Sequence, residues 1–296
     1  MRRHYTIPLP RRAQLLLGPR TLVMGILNIT PDSFADGGLH FDVARAVEAG
    51  AQMEADGADI IDVGGESTRP GAEPLPAGEE LRRVIPVIRG LAARVRIPIS
   101  IDTYKAEVAR AAIDSGASIV NDISGLQYEP ALGRVAAESG AALILMHTRG
   151  RSRGMYDLAT YTDPPADIAH ELEAAIARAE AEGVRREAIV LDPGFGFAKR
   201  AEHSVAVLAH LDTLARLDRP ILSGPSRKSF LRSAIGDRPP AEREWGTAAA
   251  VTASVMLGAH IVRVHGVRAM RDVVRTADLI VGARAGSWQS RCSDTE

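Results

Sequence analysis

The chain has 296 residues, 46% of them apolar, and a formal net charge of −1. That size and apolar content support a packed core, and the charge balance gives no field to draw nucleic acid or an anionic membrane surface. No apolar run approaches the length of a membrane span, and the single cysteine, Cys292, leaves no disulfide framework or thiol chemistry, which fits a cytoplasmic protein.

The first twenty residues hold five arginines and no acid, but they lack the serine-rich amphipathic pattern of a transit peptide. Tyr5-Thr6-Ile7-Pro8 and Leu15-Leu16-Leu17 read instead as short packing segments, and residues 1–20 are an N-terminal extension. Eight short apolar runs then follow: TLVMGIL from Thr21, ADIIDV from Ala58, IPISID from Ile97, ASIVND from Ala117, AALILM from Ala141, AIVLD from Ala188, PILSG from Pro220 and AHIVRV from Ala259. Each is bounded by Gly, Pro or Asp, and several are too uniformly apolar for a sheet with one wet face. The stretches between them, such as AEVARAAIDSGA and DIAHELEAAIARAEAEGV, have helical composition and often end in glycine. Eight alternating strand–helix units predict an α/β chain, a (β/α)8 TIM barrel in a single domain over residues 21–283. Residues 284–296 are polar and are expected to form a flexible tail.

Chemistry-bearing residues stand at the predicted strand ends: Asn28, Asp62, Asp102, Asn121 with Asp122, His147, Asp192, Ser223, and Arg263 with His265. In a barrel these converge on one rim, the end where barrel enzymes keep their active sites. A single Asp there serves equally well as a helix cap, but capping does not account for a whole ring. Asp102, Asn121 and Asp192 have the acceptors and the amide to read a flat heterocycle carrying an amino group and ring N–H donors, and Lys228 in GPSRKSF adds a cation for ring acceptors. Arg263 and His265, at i and i+2 on one strand, share a side and suit an anion. A phosphate chain bound there would bring Mg2+, for which the side-chain oxygen of Asn28 is a sufficient protein ligand. No His and Cys cluster has zinc spacing. Two long loops rich in turn residues, NITPDSFADGG from Asn28 and ESTRPGAEPLP from Glu66, follow the first two strands, with Gly37-Gly38 as a hinge in the first. Paired loops over a barrel mouth close a site and exclude water.

The stretches GILNITPDSFADGG, DVGGESTRPGA, ISIDTYKA, VNDISG, MH, DPGFGF, SRKSF and RVH occur in the order found in the dihydropteroate synthases, and the chain resembles that family from about Thr21 to Ala283. The resemblance implies a folate-pathway transferase, blocked by sulfonamides. Such an enzyme condenses 7,8-dihydropterin pyrophosphate with p-aminobenzoate to give 7,8-dihydropteroate and pyrophosphate. It implies that Asp102, Asn121, Asp192 and Lys228 bind the pterin, with Met146 and Phe197 packing near the ring. Asn28, Arg263 and His265 match the Mg2+ and pyrophosphate positions, Asn28 being the metal ligand. Thr68, Arg69, Pro70, Ser229 and Phe34 match the aminobenzoate pocket, and Asp36 helps the first loop close. Asp102, Lys228, Arg263 and His265 are the implied catalytic set, and a homodimer is the implied assembly.

Two positions depart from the family pattern. Ala198 stands where a glycine is usual after DPGFGF, which matters if the backbone there needs positive φ, and Gly266 stands where an aspartate usually follows RVH. Two other readings share the pterin readers: a pterin-dependent methyltransferase, which has no need of SRKSF or STRPG, and a non-catalytic pterin-binding paralogue. AAAVTASVMLGA, from Ala248, is apolar enough to pack on a second copy or on the barrel itself.

Overall fold

The computed structural model describes residues 2–11, 13–29, 39–67 and 71–284. A short hairpin, β1 (Tyr5–Ile7) and β2 (Leu15–Leu17), precedes eight parallel strands: β3 (Leu22–Asn28), β4 (Ile60–Gly64), β5 (Ile99–Asp102), β6 (Ile119–Asp122), β7 (Ala142–Met146), β8 (Ile189–Asp192), β9 (Leu222–Ser223) and β10 (Ile261–Val264). The strands pair in the order β8-β7-β6-β5-β4-β3-β10-β9. A parallel bridge between Leu191 and Ile221 joins β8 to the segment entering β9 and closes the ring into the expected (β/α)8 barrel. Helices α1 (Leu39–Ala55), α2 (Ala77–Arg94), α3 (Ala106–Asp114), α4 (Ala131–Ser139), α5 (Pro164–Ala181), α6 (Ala201–Ala209), a short α7 (Arg232–Ile235), α8 (Glu244–Met256) and α9 (Val267–Arg284) form the outer layer. No helix among the described residues is long and apolar enough to cross a membrane.

Strand parity builds the core. Leu22, Met24, Ile60, Ile119, Ala142, Ile144, Val190, Leu222 and Ile261 pack together inside the barrel, while Ile61, Val63, Ile99, Ile101, Val120, Leu143, Leu145, Ile189 and Leu191 pack outward among the helices. Side chains two apart share a face, so each strand brings an apolar floor residue and, further along, an inward group at the mouth. Ile7, Leu9 and Leu17 of the hairpin segment join the interior cluster, so the extension seals the floor of the barrel.

The Gly-Ala steps ahead of strands are sharp reversals. Gly140 ends α4 at φ 68°, where its N–H caps the carbonyls of Ala136 and Ala137. Gly116, at φ 120°, lies against α2, and a Cβ there would stand 2.6 Å from the Cβ of Ala92. Glycine suits the first position, and only glycine meets the second.

Candidate active site

Parity sorts the rim residues into two groups. Asn28, Asp62, Asp102, Asn121, Met146, Asp192 and Arg263 share the inward register of the floor residues. Asp122, His147 and Ser223 are one position off and turn away from the mouth. Asp122 accepts from the Ser124 N–H (2.8 Å) and the Leu126 N–H (2.6 Å), tightening the turn after β6. Ser223 pairs with Ser254 of α8 at 2.8 Å. His147 is buried between Glu171 and Lys199. The expected ring is therefore smaller than the list of strand ends, because neighbours on a strand face opposite ways.

The inward groups form one cluster. Arg263 donates through Nε to Asp62 Oδ2 at 2.6 Å and through Nη2 to Asp102 Oδ2 at 2.6 Å. Asn121 donates to the same Asp62 oxygen at 2.9 Å. Asp62 is fully buried, and its Oδ1 has no partner. It therefore holds the arginine and the amide in place, a task not assigned to it from the sequence, although its position two residues beyond Ile60 carried the signal. Asp192 Oδ1 accepts from the Gly194 N–H at 2.7 Å, which fixes the carboxylate across the mouth. Gly64 and Gly224 keep space open between these groups. A Cβ at Gly64 would lie 3.6 Å from Asp102 Oδ2 and 3.8 Å from Asn28 Oδ1, and one at Gly224 would lie 3.8 Å from Asp192 Oδ2. Asn28 is exposed at the end of β3.

Lys228 enters from the loop after β9, with Nζ 4.1 Å from the centroid of the Phe197 ring, a cation–π distance. Ser226, two residues earlier, accepts from the His265 N–H at 3.2 Å and faces His265 Nδ1 at 2.9 Å. The loop after β9 and the end of β10 are thereby tied together. Ser229 is exposed at the start of the following turn. Met146 is buried against the Gly194 turn.

Electrostatics follow from burial. Burial pushes Asp102 up to about 7, with the Arg263 charge opposing, and raises Asp192, with the Gly194 N–H opposing. Burial and the nearby Arg263 lower Lys228 to about 8. Burial works against the Arg263 charge, but Asp62 and Asp102 outweigh it and hold the guanidinium protonated. Two buried carboxylates, one cation over an aromatic ring and one clamped guanidinium thus face one opening. This set suits a planar ligand with N–H donors on one side and negative charge on the other.

Behind the mouth lies a second network. Lys199 Nζ contacts His147 Nδ1 (2.8 Å), the Phe197 carbonyl (2.9 Å) and the His147 carbonyl (3.2 Å). Burial lowers Lys199, yet the three acceptors match the three hydrogens of an ammonium. Burial first, then the Lys199 charge, lowers His147 to about 4, and its Nε2 faces Glu171 at 2.9 Å. These bonds pin the loop that carries Phe197. Ala198 in that loop stands at φ 48°, so the position does take the left-handed backbone that glycine favours.

The base of the second loop is anchored by Glu66, which accepts from Tyr104 Oη at 3.0 Å and Lys105 Nζ at 2.5 Å. Phe34, Asp36, Gly37, Gly38, Thr68, Arg69 and Pro70 lie outside the described residues. Among the described residues, no three His, Cys, Asp or Glu side chains gather to hold a metal.

A (β/α)8 barrel with a mouth suited to a planar, N–H-bearing ligand is the class that this fold and site define, and the comparisons give its family. The pterin binding enzyme family matches residues 24–265, and the chain belongs to it. The dihydropteroate synthase of a Synechocystis strain is 47% identical over 278 residues, covering 94% of this chain and 96% of that protein. Among solved structures, the Xanthomonas albilineans dihydropteroate synthase with 4-aminobenzoic acid superposes with a TM-score of 0.85 at 41% identity, covering 93% of this chain and 98% of the other. The Yersinia pestis dihydropteroate synthase in its sulfonamide drug complex gives 0.85 at 40% identity, covering 96% and 100%.

Proposed function

We propose that the chain is a dihydropteroate synthase, a transferase of folate synthesis that joins 7,8-dihydropterin pyrophosphate to p-aminobenzoate and releases pyrophosphate. The observation that carries this reading is the convergence of Asp102, Asn121, Asp192, Lys228 and Arg263 on one barrel mouth, in a chain with the relatives just described. Asp102, Asn121 and Asp192 read the amino and ring N–H groups of the pterin, and Lys228 faces a ring acceptor while Phe197 and Met146 line the ring. Arg263 and His265 take the pyrophosphate.

The carbon–oxygen bond of the pterin methylene breaks, and the electron pair leaves with pyrophosphate. Arg263 and His265 stabilise the charge gathering on the leaving group, and Asp102 stabilises positive charge spread into the ring. The amine nitrogen of p-aminobenzoate then bonds to the methylene carbon and loses a proton. Phe34, Thr68, Arg69, Pro70 and Ser229 form the pocket for this second substrate. Asp36 helps the first loop close, so that water does not capture the cation.

The donor set fits Mg2+. Asn28 offers one hard oxygen at the open end of β3 beside Gly64, and such an ion keeps water and phosphate ligands for the rest. When bound, the ion would neutralise negative charge on the pyrophosphate.

A homodimer fits the outer face of α8 and α9, where Trp245 is 85% exposed and Met256, Leu279 and Ile280 are also exposed. The middle of the α8 stretch, Ala250, Val251, Ser254 and Val255, packs inward instead. The cytoplasm suits a folate-pathway enzyme, and the sulfonamides that resemble p-aminobenzoate are its expected inhibitors.

The test is pyrophosphate release from dihydropterin pyrophosphate with Mg2+, with and without p-aminobenzoate, and detection of dihydropteroate by mass. Amine-dependent release with that product supports the synthase. Pterin binding without product defeats it and favours the methyltransferase or the non-catalytic paralogue.

A further inference from the structure

Gly266 follows His265 immediately after β10. A Cβ built on Gly266 would stand 2.2 Å from Oε1 of Glu244, 3.2 Å from its Cδ and 3.8 Å from its Oε2. No non-bonded pair of heavy atoms tolerates the first distance, so the Glu244 carboxylate occupies the space that a side chain at 266 would need. The other oxygen, Oε2, accepts from Arg227 Nε at 3.3 Å. Arg227 is itself in a left-handed conformation at φ 58°. Its N–H donates to Thr247 Oγ1 at 3.0 Å, and its carbonyl accepts from Arg243 Nη1 at 2.9 Å. The start of α8 therefore grips Arg227 by its amide, its carbonyl and its guanidinium. On one side of Arg227 is Ser226, bonded to His265, and on the other is Lys228, over Phe197.

We infer that Glu244 is a positioning residue for the anion-binding end of the site. The missing side chain at 266 admits its carboxylate, which fixes Arg227 and, through the strained loop, the Ser226–His265 pair. The inference rests on the synthase reading for its ligand, pyrophosphate. Gly266 is not among the glycines with positive φ, so alanine there meets no backbone strain and simply expels the Glu244 carboxylate from its place.

Binding of inorganic pyrophosphate with Mg2+, followed by titration calorimetry on the purified full-length chain, tests this, with 6-hydroxymethylpterin as the control ligand. Glu244→Gln and Gly266→Ala should each weaken pyrophosphate binding about five- to tenfold, the scale of one lost charge-assisted contact, and leave pterin binding within about twofold of wild type. Gly266→Asp alone, which forces two carboxylates into one space, should do worse than either. Gly266→Asp combined with Glu244→Ala should bind pyrophosphate better than Glu244→Ala alone, because the acid returns from the strand side. Unchanged pyrophosphate binding in Glu244→Gln overturns the inference, as does equal loss of both ligands or a double variant no better than Glu244→Ala. If wild type binds pyrophosphate and the variants lose it while no dihydropteroate forms, the positioning role stands and the synthase reading falls.

Discussion

Asp62 offers the sharpest check on how the mouth is built. Two donors, Arg263 Nε and Asn121 Nδ2, end on one of its oxygens, Oδ2, and the other oxygen has no partner. An asparagine at 62 can put its carbonyl where Oδ2 stands and keep both hydrogen bonds, with its NH2 in place of Oδ1. The charge is lost and the NH2 adds buried donors where Oδ1 had no partner, but Asp102 still pairs with Arg263, so Asp62→Asn should cost about 2 kcal/mol. Asp62→Ala instead removes both acceptor contacts and leaves a guanidinium and an amide without an anchor in a buried setting. Breaking a buried pair in this way costs about 3 kcal/mol. Urea unfolding at constant pH, analysed by linear extrapolation, measures both, and the slopes should match wild type. Asp62→Ala should also lose more pterin binding than Asp62→Asn, because Asn121 loses its anchor. Equal midpoints for the two variants would refute the argument, since they would mean that the shared oxygen does not carry the two donors.

Lys228→Met should lower kcat/KM by about a hundredfold, the usual cost of removing one pre-placed charged donor from a water-poor site; a loss under threefold in the coupled pyrophosphate assay contradicts the placement. His147 and His260 are both lowered from 6.5 to about 4, chiefly by burial. The unfolded chain protonates both near 6.5 while the folded chain does not, so stability is complete above that pH and falls as the pH drops toward 4. The loss is at most about 3 kcal/mol per ring, and a flat profile of urea midpoints between pH 7.5 and 4.5 speaks against it. Ala198→Gly relieves about 1 kcal/mol of left-handed strain but gives up a buried methyl worth about 0.8 kcal/mol and adds unfolded-state freedom worth about 0.5 kcal/mol. The melting temperature should therefore move by less than about 2 °C, and a rise of several degrees shows that the loop stores more strain than φ 48° implies.

The eight strands were legible because each is a short apolar run between turn formers, and the barrel followed from their alternation with helices. Much of the mouth was legible too, since an inward polar residue two places beyond an apolar floor residue is a local pattern, as in Ile60 and Asp62 or Val190 and Asp192. The same rule, applied strictly, separates Asn121 from Asp122 and Met146 from His147. The tasks of the outward residues were not legible. The contacts of Lys199 with His147 and of Glu244 with the space over Gly266 join segments far apart in sequence. They depend on how loops fold over the rim, which no periodicity records. The reading of Arg263 and His265 as an anion pair did not include Asp62 and Asp102 as partners of the guanidinium. Two carboxylates beside a buried arginine become apparent only once the strands are in register.

The hairpin at the floor has a further consequence. Ile7, Leu9 and Leu17 pack hydrocarbon against the lower end of the barrel, at the opposite end from the polar groups of the mouth. Loss of the hairpin would thus expose the apolar floor residues to water while leaving the polar groups of the mouth in register.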